Sequence, residues 1–301
     1  MRIHFLEPEK GASAMFTEWL QQEGKDIKTI QSYNQSFTEL KKWLEGRYGH
    51  YAYDQVTPLD LHDWISHMQT VQRLAPATIK KRIAAVKVYW SYLIDTKQTA
   101  YDPTRKVKAK RVRESEVAPR WLTRHEQAKL LMTVEKEKRE FNRIRNLAIV
   151  QCMIQAGLRI FEVVALDESD VDLNRRTLVV RRGKGNKYRV VPINKDLYRT
   201  LLAWRDSVQL EGPLFISQQG KRLTERSVQY ALRHYYDQIG LEDATVHSLR
   251  HSFCKNLINA GQAIQVVAQL AGHSSIEETR RYVTASKKEL QNAVERISWE
   301  K

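Results

Sequence analysis

Between positions 247 and 282 the chain carries His247-Ser-Leu-Arg250, then Gly272-His273, then Arg280-Arg281-Tyr282. Arginine presents a planar fork of donors that matches phosphate oxygens, and histidine holds or moves a proton near neutral pH. A tyrosine hydroxyl attacks phosphorus once its developing charge is stabilised. Collected this way, the side chains suit chemistry at a phosphodiester. Alone the group is incomplete, because such chemistry wants a second arginine and an acid for the departing oxygen.

Two upstream residues supply what is missing. Arg159 follows Ala156-Gly157-Leu158, where a glycine at a helix stop turns the chain so that the next side chains can enter a cleft. Taken singly it reads as a surface arginine. Lys184 stands between Gly183 and Gly185 in a predicted hairpin turn, where an ammonium could protonate a leaving oxygen. Basic turns of that kind are common, so this motif too is weak by itself. His247 and Arg250 are three apart on a predicted helix and share a face. His251, four residues after His247, raises a zinc alternative; the zincin pattern needs Glu in second position and Ser248 stands there. No Cys or carboxylate cluster lies nearby in sequence, so neither metal nor cofactor is expected. As a set, two arginines clamp the non-bridging oxygens and stabilise a pentacoordinate phosphorane. Lys184 protonates the 5′ oxygen, and a phosphotyrosine ester conserves the bond so that rejoining needs no ATP. No Gly-x-x-x-x-Gly-Lys-Ser/Thr phosphate loop occurs. A phenol titrates near ~10, so the positive field is expected to help ionise Tyr282, one of thirteen tyrosines.

The composition points the same way. The 301 residues suffice for two domains with proper cores, and 50 Lys plus Arg face 35 Asp plus Glu, a net charge of +15. That excess, with a sequence pI near 9.7, favours a polyanionic partner, most commonly nucleic acid. No apolar run approaches the ~20 residues of a membrane span, and Met1-Arg2-Ile3-His4 does not begin a signal peptide. A cytoplasmic protein with no membrane partner is expected. Cys152 and Cys254 sit in apolar helical patterns and read as buried free thiols.

The elements that must position these residues fall into two regions. Four amphipathic helices are predicted in the first hundred residues: 13–22, 27–45, one opening at Thr57-Pro58, and 76–95. The last carries Lys80, Lys81, Arg82 and Lys87. Asp102-Pro103 ends the pattern, and Arg105, Lys106, Lys108, Lys110, Arg111 and Arg113 follow without periodicity. This reads as a basic linker able to lie along a phosphate backbone, with a partnerless surface loop as the plainer alternative. The second region is mixed. Thr123-Arg-His-Glu126 is a capping box opening a helix, and another helix over 142–156 stops at Gly157. Strands over 176–182 and 188–193 flank the Gly183–Lys187 turn. Helices over 194–207, 224–239, 246–259 and 263–270 follow, and Ser275-Ile-Glu-Glu278 is a further capping box expected to open the helix that carries Tyr282.

Taken in order, these residues resemble the tyrosine recombinases of phage integrase type, nearest in size to Xer-like recombinases and transposon resolvases. The resemblance rests on Ala156-Gly-Leu-Arg-Ile-Phe-Glu162, Gly183-Lys-Gly185, His247-Ser-Leu-Arg-His-Ser-Phe253, Leu270-Ala-Gly-His-Ser-Ser275 and Thr279-Arg-Arg-Tyr282, and covers nearly the whole chain. It implies a mainly α fold with a small β-sheet: a four-helix SAM-like core-binding domain (1–104), a linker (105–119) and an α+β catalytic domain (120–301). It implies Arg159 and Arg250 as the phosphate clamp, Lys184 as general acid and Tyr282 as nucleophile. His247 is then the base or proton-holding residue, His273 a phosphate donor, and Glu162 a supporting acid that anchors Arg159. Lys80, Lys81, Arg82, Lys87 and the linker cations become DNA contacts. The implied partner is a double-stranded DNA core site held in a C-shaped clamp. Monomers in solution would assemble as a homo-tetramer in the synapse and exchange strands through a Holliday junction. Leu290, Val294 and Ile297 form an apolar stripe on a tail helix expected to dock on a neighbouring protomer, packing onto its own domain being the alternative. No segment like the arm-binding domain of lambda-type integrases is recognised, so arm sites are not expected, although accessory DNA-bending proteins remain compatible. Two rivals stand beside this: a type IB topoisomerase-like enzyme that relaxes DNA as a monomer, and a non-catalytic DNA-binding regulator. The DNA site and the task (chromosome dimer resolution, prophage integration, transposon movement or resolution) stay open, since phosphate contacts carry no sequence information.

Overall fold

The computed structural model describes residues 11–49, 53–108, 119–181, 189–283 and 295. The chain divides into two compact units, Met1–Ser115 and Glu116–Lys301. Lys184, the linker cations Lys110, Arg111 and Arg113, and the tail positions Leu290, Val294 and Ile297 lie outside the described residues.

The first unit is helical: α1 (Gly11–Gln22), α2 (Ile27–Tyr48), a 3-10 turn (Tyr53–Gln55), α3 (Pro58–Thr70) and α4 (Pro76–Asp95). Local chemistry sets the boundaries. The Asp26 carboxylate accepts from the Thr29 N–H at 2.9 Å and starts α2, which Gly49 ends in the left-handed region. Thr57 and Asp60 form a reciprocal capping box at α3, with Pro58 at its first turn. The apolar faces meet in one core holding Phe16, Leu40, Trp64 and Trp90, in which Phe37 stacks on Tyr89 with ring centroids 3.8 Å apart. That core reaches Val107, which is buried while Arg105, Lys106 and Lys108 around it are exposed. On α4, Lys80 and Lys81 are exposed, whereas Arg82 is half-buried, 3.8 Å from Glu39 and donating to Gln72.

The second unit contains α5 (Arg124–Glu135), α6 (Glu140–Gln155), α7 (Ile160–Ala165), β1 (Val171–Asp172), β2 (Thr177–Val180), β3 (Arg189–Pro192), α8 (Lys195–Ser207), α9 (Glu225–Gln238), α10 (Val246–Asn259), α11 (Ile264–Ala271) and α12 (Ile276–Arg280). The strands form an antiparallel sheet in the order β1-β2-β3, with Val171 opposite Leu178 and Leu178 opposite Val191. Leu178, Val180 and Val191 turn into the core, as the two-residue period of a strand requires. α6 is buried from Ala148 to Ile154 and forms the spine of the unit. Trp204 is fully buried on α8, its indole N–H satisfied by the Leu214 carbonyl at 2.8 Å.

The structure departs from the sequence reading in several places. β1 and α7 were not expected, and α6 starts at Glu140 rather than 142. The Ser275 side chain does not cap α12; instead the Ser274 hydroxyl donates to Glu278 at 2.7 Å. α12 stops at Arg280, so Tyr282 lies just past it, its N–H donating to the Thr279 carbonyl at 3.0 Å. Among the described residues no helix is long and apolar enough to cross a membrane.

Candidate active site

Two helix ends hold the arginines. After α6 the chain turns at Gly157, whose φ of 64° is ready for glycine alone at little cost. A Cβ there would lie 2.3 Å from the Phe253 ring of α10, so the turn is also tightly packed. The Gly157 carbonyl accepts from Arg250 Nη1 at 2.5 Å, and the Ala271 carbonyl, at the end of α11, accepts from Arg250 Nη2 at 2.6 Å. Arg159 donates through Nη2 to the Gly272 carbonyl at 3.2 Å and through Nη1 to Glu162 at 3.1 Å. Carbonyls at helix C-termini carry partial negative charge and suit cations. A guanidinium has five N–H donors, so each arginine is oriented by backbone and still has donors for a phosphate. Arg250 is buried; burial first, then the like charge of Arg159, pulls its pKa down to about 10, which leaves it protonated at neutral pH.

Glu162 ties this pair to the sheet. Its carboxylate accepts the Arg159 N–H at 2.7 Å and a bidentate pair from Arg189 of β3 at 2.8 and 2.9 Å. Burial alone would raise its pKa. Hydrogen bonds and charge from Arg189, with the Arg159 N–H, outweigh that and hold the carboxyl below the usual range. Three guanidiniums therefore surround one carboxylate, an excess of positive charge suited to a phosphodiester. The Arg189 Nε is buried without a hydrogen-bond partner, which leaves one donor of that side chain uncommitted. Arg159, Arg189, Gly272 and His273 line a cleft of about 680 Å³.

Tyr282 is 3% exposed and packs on Phe253, Cys254, Val267 and Ala271. Its hydroxyl shares a 2.5 Å hydrogen bond with His251 Nδ1, and Lys255 Nζ donates to its carbonyl at 3.2 Å. The His273 ring stacks beside it with centroids 6.4 Å apart, held through Nδ1 by the Thr279 hydroxyl at 2.7 Å. The positive field does not ionise this phenol: burial pushes its pKa up and Cys254 adds to the rise, while Arg250 and Arg281 oppose them without prevailing. Burial, joined by neighbouring cations, lowers both His251 and His273 to about 4, so both imidazoles are neutral at physiological pH. His247 keeps an exposed edge, yet packing around its ring and then Arg250 and Arg159 lower its pKa as well.

Arg159 is thus bonded to Glu162 and Gly272, Arg250 is tied to the same turns through Gly157 and Ala271, and Tyr282 packs beside them against His273 and α10. His247 sits one turn before His251, with ring centroids 6.5 Å apart. Two residues escaped the sequence reading. Arg189 had no motif of its own; its only signal was a basic residue on the inner edge of the hairpin. His251 was visible but weighed only as a metal ligand. Both cysteines are buried free thiols, and among the described residues no group of His, Cys, Asp and Glu could hold a metal ion.

A mainly helical chain with a small sheet, whose second unit sets Arg159, Arg189 and His273 along a cleft and packs a buried tyrosine beside His273, defines a class of phosphodiester enzyme. This chain belongs to the phage integrase family, the tyrosine recombinases: the family pattern matches residues 120–289, and that of the phage integrase N-terminal SAM-like domain matches residues 14–97. Tyrosine recombinase XerC of Roseiflexus castenholzii is 33% identical over 264 residues, covering 84% of this chain and 82% of that protein. The TnP I resolvase of Bacillus thuringiensis is 29% identical over 292 residues, 93% and 97% of the respective lengths. In fold, the chain is similar to a Tn1549 transposon integrase solved with transposon right end DNA, with a TM-score of 0.76 at 20% identity over 95% of this chain and 98% of that one.

Proposed function

We propose that this chain is a site-specific recombinase that cuts and rejoins duplex DNA through a 3′-phosphotyrosine ester formed on Tyr282. The observation that carries the reading is the pair of guanidiniums fixed by helix-end carbonyls beside a buried tyrosine, all within one unit. Arg159 and Arg250 take the non-bridging oxygens and stabilise the extra charge of the phosphorane. His273 is bound at Nδ1 by Thr279; when that hydroxyl donates, Nε2 carries the proton and can donate to a phosphate oxygen. Lys184 protonates the 5′ oxygen as it leaves, and His247 holds a proton near the phosphate. The ester conserves the energy of the broken bond, so a 5′ hydroxyl from the second duplex can displace Tyr282 without ATP.

The domain assignment fits this chemistry: residues 1–104 as core-binding domain, 105–119 as basic linker and 120–301 as catalytic domain. Lys80, Lys81, Arg82 and Lys87, with the cations from Arg105 to Arg113, then bind the phosphate backbone. Monomers in the cytoplasm pair on each core site and form a tetramer at synapsis, with accessory DNA-bending proteins compatible. The test uses a duplex selected for binding from a random pool and nicked beside the scissile bond, so that a released fragment cannot rejoin. The wild type should accumulate a covalent adduct that survives denaturant. Site-specific binding without any adduct would favour a non-catalytic regulator. Relaxation of supercoiled plasmids lacking the site would favour a topoisomerase.

A further inference from the structure

Before Tyr282 can bond to phosphorus, its phenol must lose a proton, and the structure restricts where that proton can go. The side chain is 3% exposed, so bulk water is not an available acceptor. Cys254 lies against the phenol, but burial pushes its thiol up to about 11, so it holds its own proton at neutral pH. His273 already commits Nδ1 to Thr279. His251 is different. Its Nδ1 is 2.5 Å from the phenol oxygen, the rings lie 5.7 Å apart between centroids, and the imidazole is neutral, so that in the tautomer protonated at Nε2 the Nδ1 lone pair faces the phenol.

We propose that His251 is a further catalytic residue, the general base that takes the Tyr282 proton. Its Nδ1 accepts the proton as the tyrosine oxygen bonds to phosphorus and the bond from phosphorus to the 5′ oxygen breaks, that oxygen taking its own proton from Lys184. On rejoining, a 5′ hydroxyl displaces the tyrosine oxygen and the imidazolium returns the proton to it. A phosphodiester in the cleft strengthens the base, since its negative charge favours the imidazolium over the neutral ring. The position also explains a spacing. His247 and His251 share one face of α10 a turn apart, so one can serve the phosphate while the other serves the nucleophile. The inference rests on Tyr282 being the nucleophile.

The experiment compares His251→Asn and His251→Phe on two nicked duplexes, one ordinary and one with sulfur in place of the scissile 5′ oxygen. Asparagine can accept a hydrogen bond near the Nδ1 position but takes no proton at neutral pH. A thiolate leaves without help from an acid, so sulfur removes defects on the leaving-group side and keeps those on the nucleophile side. Both variants should bind the duplex as the wild type does, yet form adduct at least about 100-fold more slowly on both substrates. Added imidazole should raise the rate of His251→Ala. An Asn variant that cleaves within about threefold of wild type, or one restored by sulfur, overturns the proposal. Should the Phe variant not fold, the Asn variant decides. Tyr282→Phe runs beside them: adduct in that variant overturns the nucleophile assignment instead, and a wild type without adduct overturns the recombinase reading.

Discussion

Arg250 joins the ends of two helices through two different nitrogens, and Arg159 joins a carboxylate to a third carbonyl. A lysine offers a point charge on a flexible stem and cannot keep both bonds and a fork for phosphate. Arg159→Lys or Arg250→Lys should therefore slow single-turnover cleavage by about 10²–10³-fold while DNA binding persists. Glu162 makes a different prediction, because it neutralises a buried cluster. Glu162→Gln leaves Arg189 and Arg159 without a counter-charge and should destabilise the second unit by about 3 kcal/mol in denaturant unfolding. At this scale the sequence was most informative where spacing tied residue types together, which is how Arg159, Glu162, His247, Arg250, His273 and Tyr282 stand out as candidates. Arg189 does not, since its partner lies 27 residues away and only the folded sheet brings them together. His251 is visible in the sequence only through its four-residue spacing from His247, which raises a metal reading that Ser248 argues against and gives no sign of its contact with Tyr282.

The elements show why the site depends on backbone as much as on side chains. Gly157 combines a positive φ with a ring lying where its Cβ would be. Gly157→Ala should lower the melting temperature of the second unit and, by moving the carbonyl that holds Arg250, reduce cleavage further than the lost stability explains. A variant that cleaves normally would show that this carbonyl is dispensable. Long helices with capping signals, such as α3 and α5, were legible because periodicity and caps agree. α7 and β1 were not: six and two residues are too short to display a period. α12 is five residues long, also too short to display a period, and it ends before the tyrosine.

For the whole molecule, charge and protonation give two expectations. His251 and His273 are lowered from 6.5 to about 4, so the unfolded chain binds protons at a higher pH than the native one. Stability contributed by the neutral rings is therefore present above pH ~6.5 and is lost as pH falls toward ~4, by up to about 1.4 kcal/mol per pH unit for each ring. Melting curves across that window should show the decline, and His251→Asn should flatten it. The net charge of +15 implies binding that weakens steeply with salt. Replacing Lys80 and Lys81 by Ala should weaken binding equally on all sequences and reduce the salt slope by about one each. The sequence pattern breaks at Asp102-Pro103, whereas the two compact units meet at Ser115 and Glu116 and the first core reaches Val107, inside a basic run that shows no periodicity.

Attack of Tyr282 on the scissile phosphate is the step on which the proposed reaction depends. The most direct measurement is to trap the adduct on a nicked duplex, digest protein and DNA, and locate the nucleotide by mass spectrometry. A 3′-phosphonucleotide is expected on the peptide containing Tyr282, and no adduct from Tyr282→Phe, which still binds the duplex. A nucleotide on any other residue, or attached through a 5′ phosphate, would contradict it.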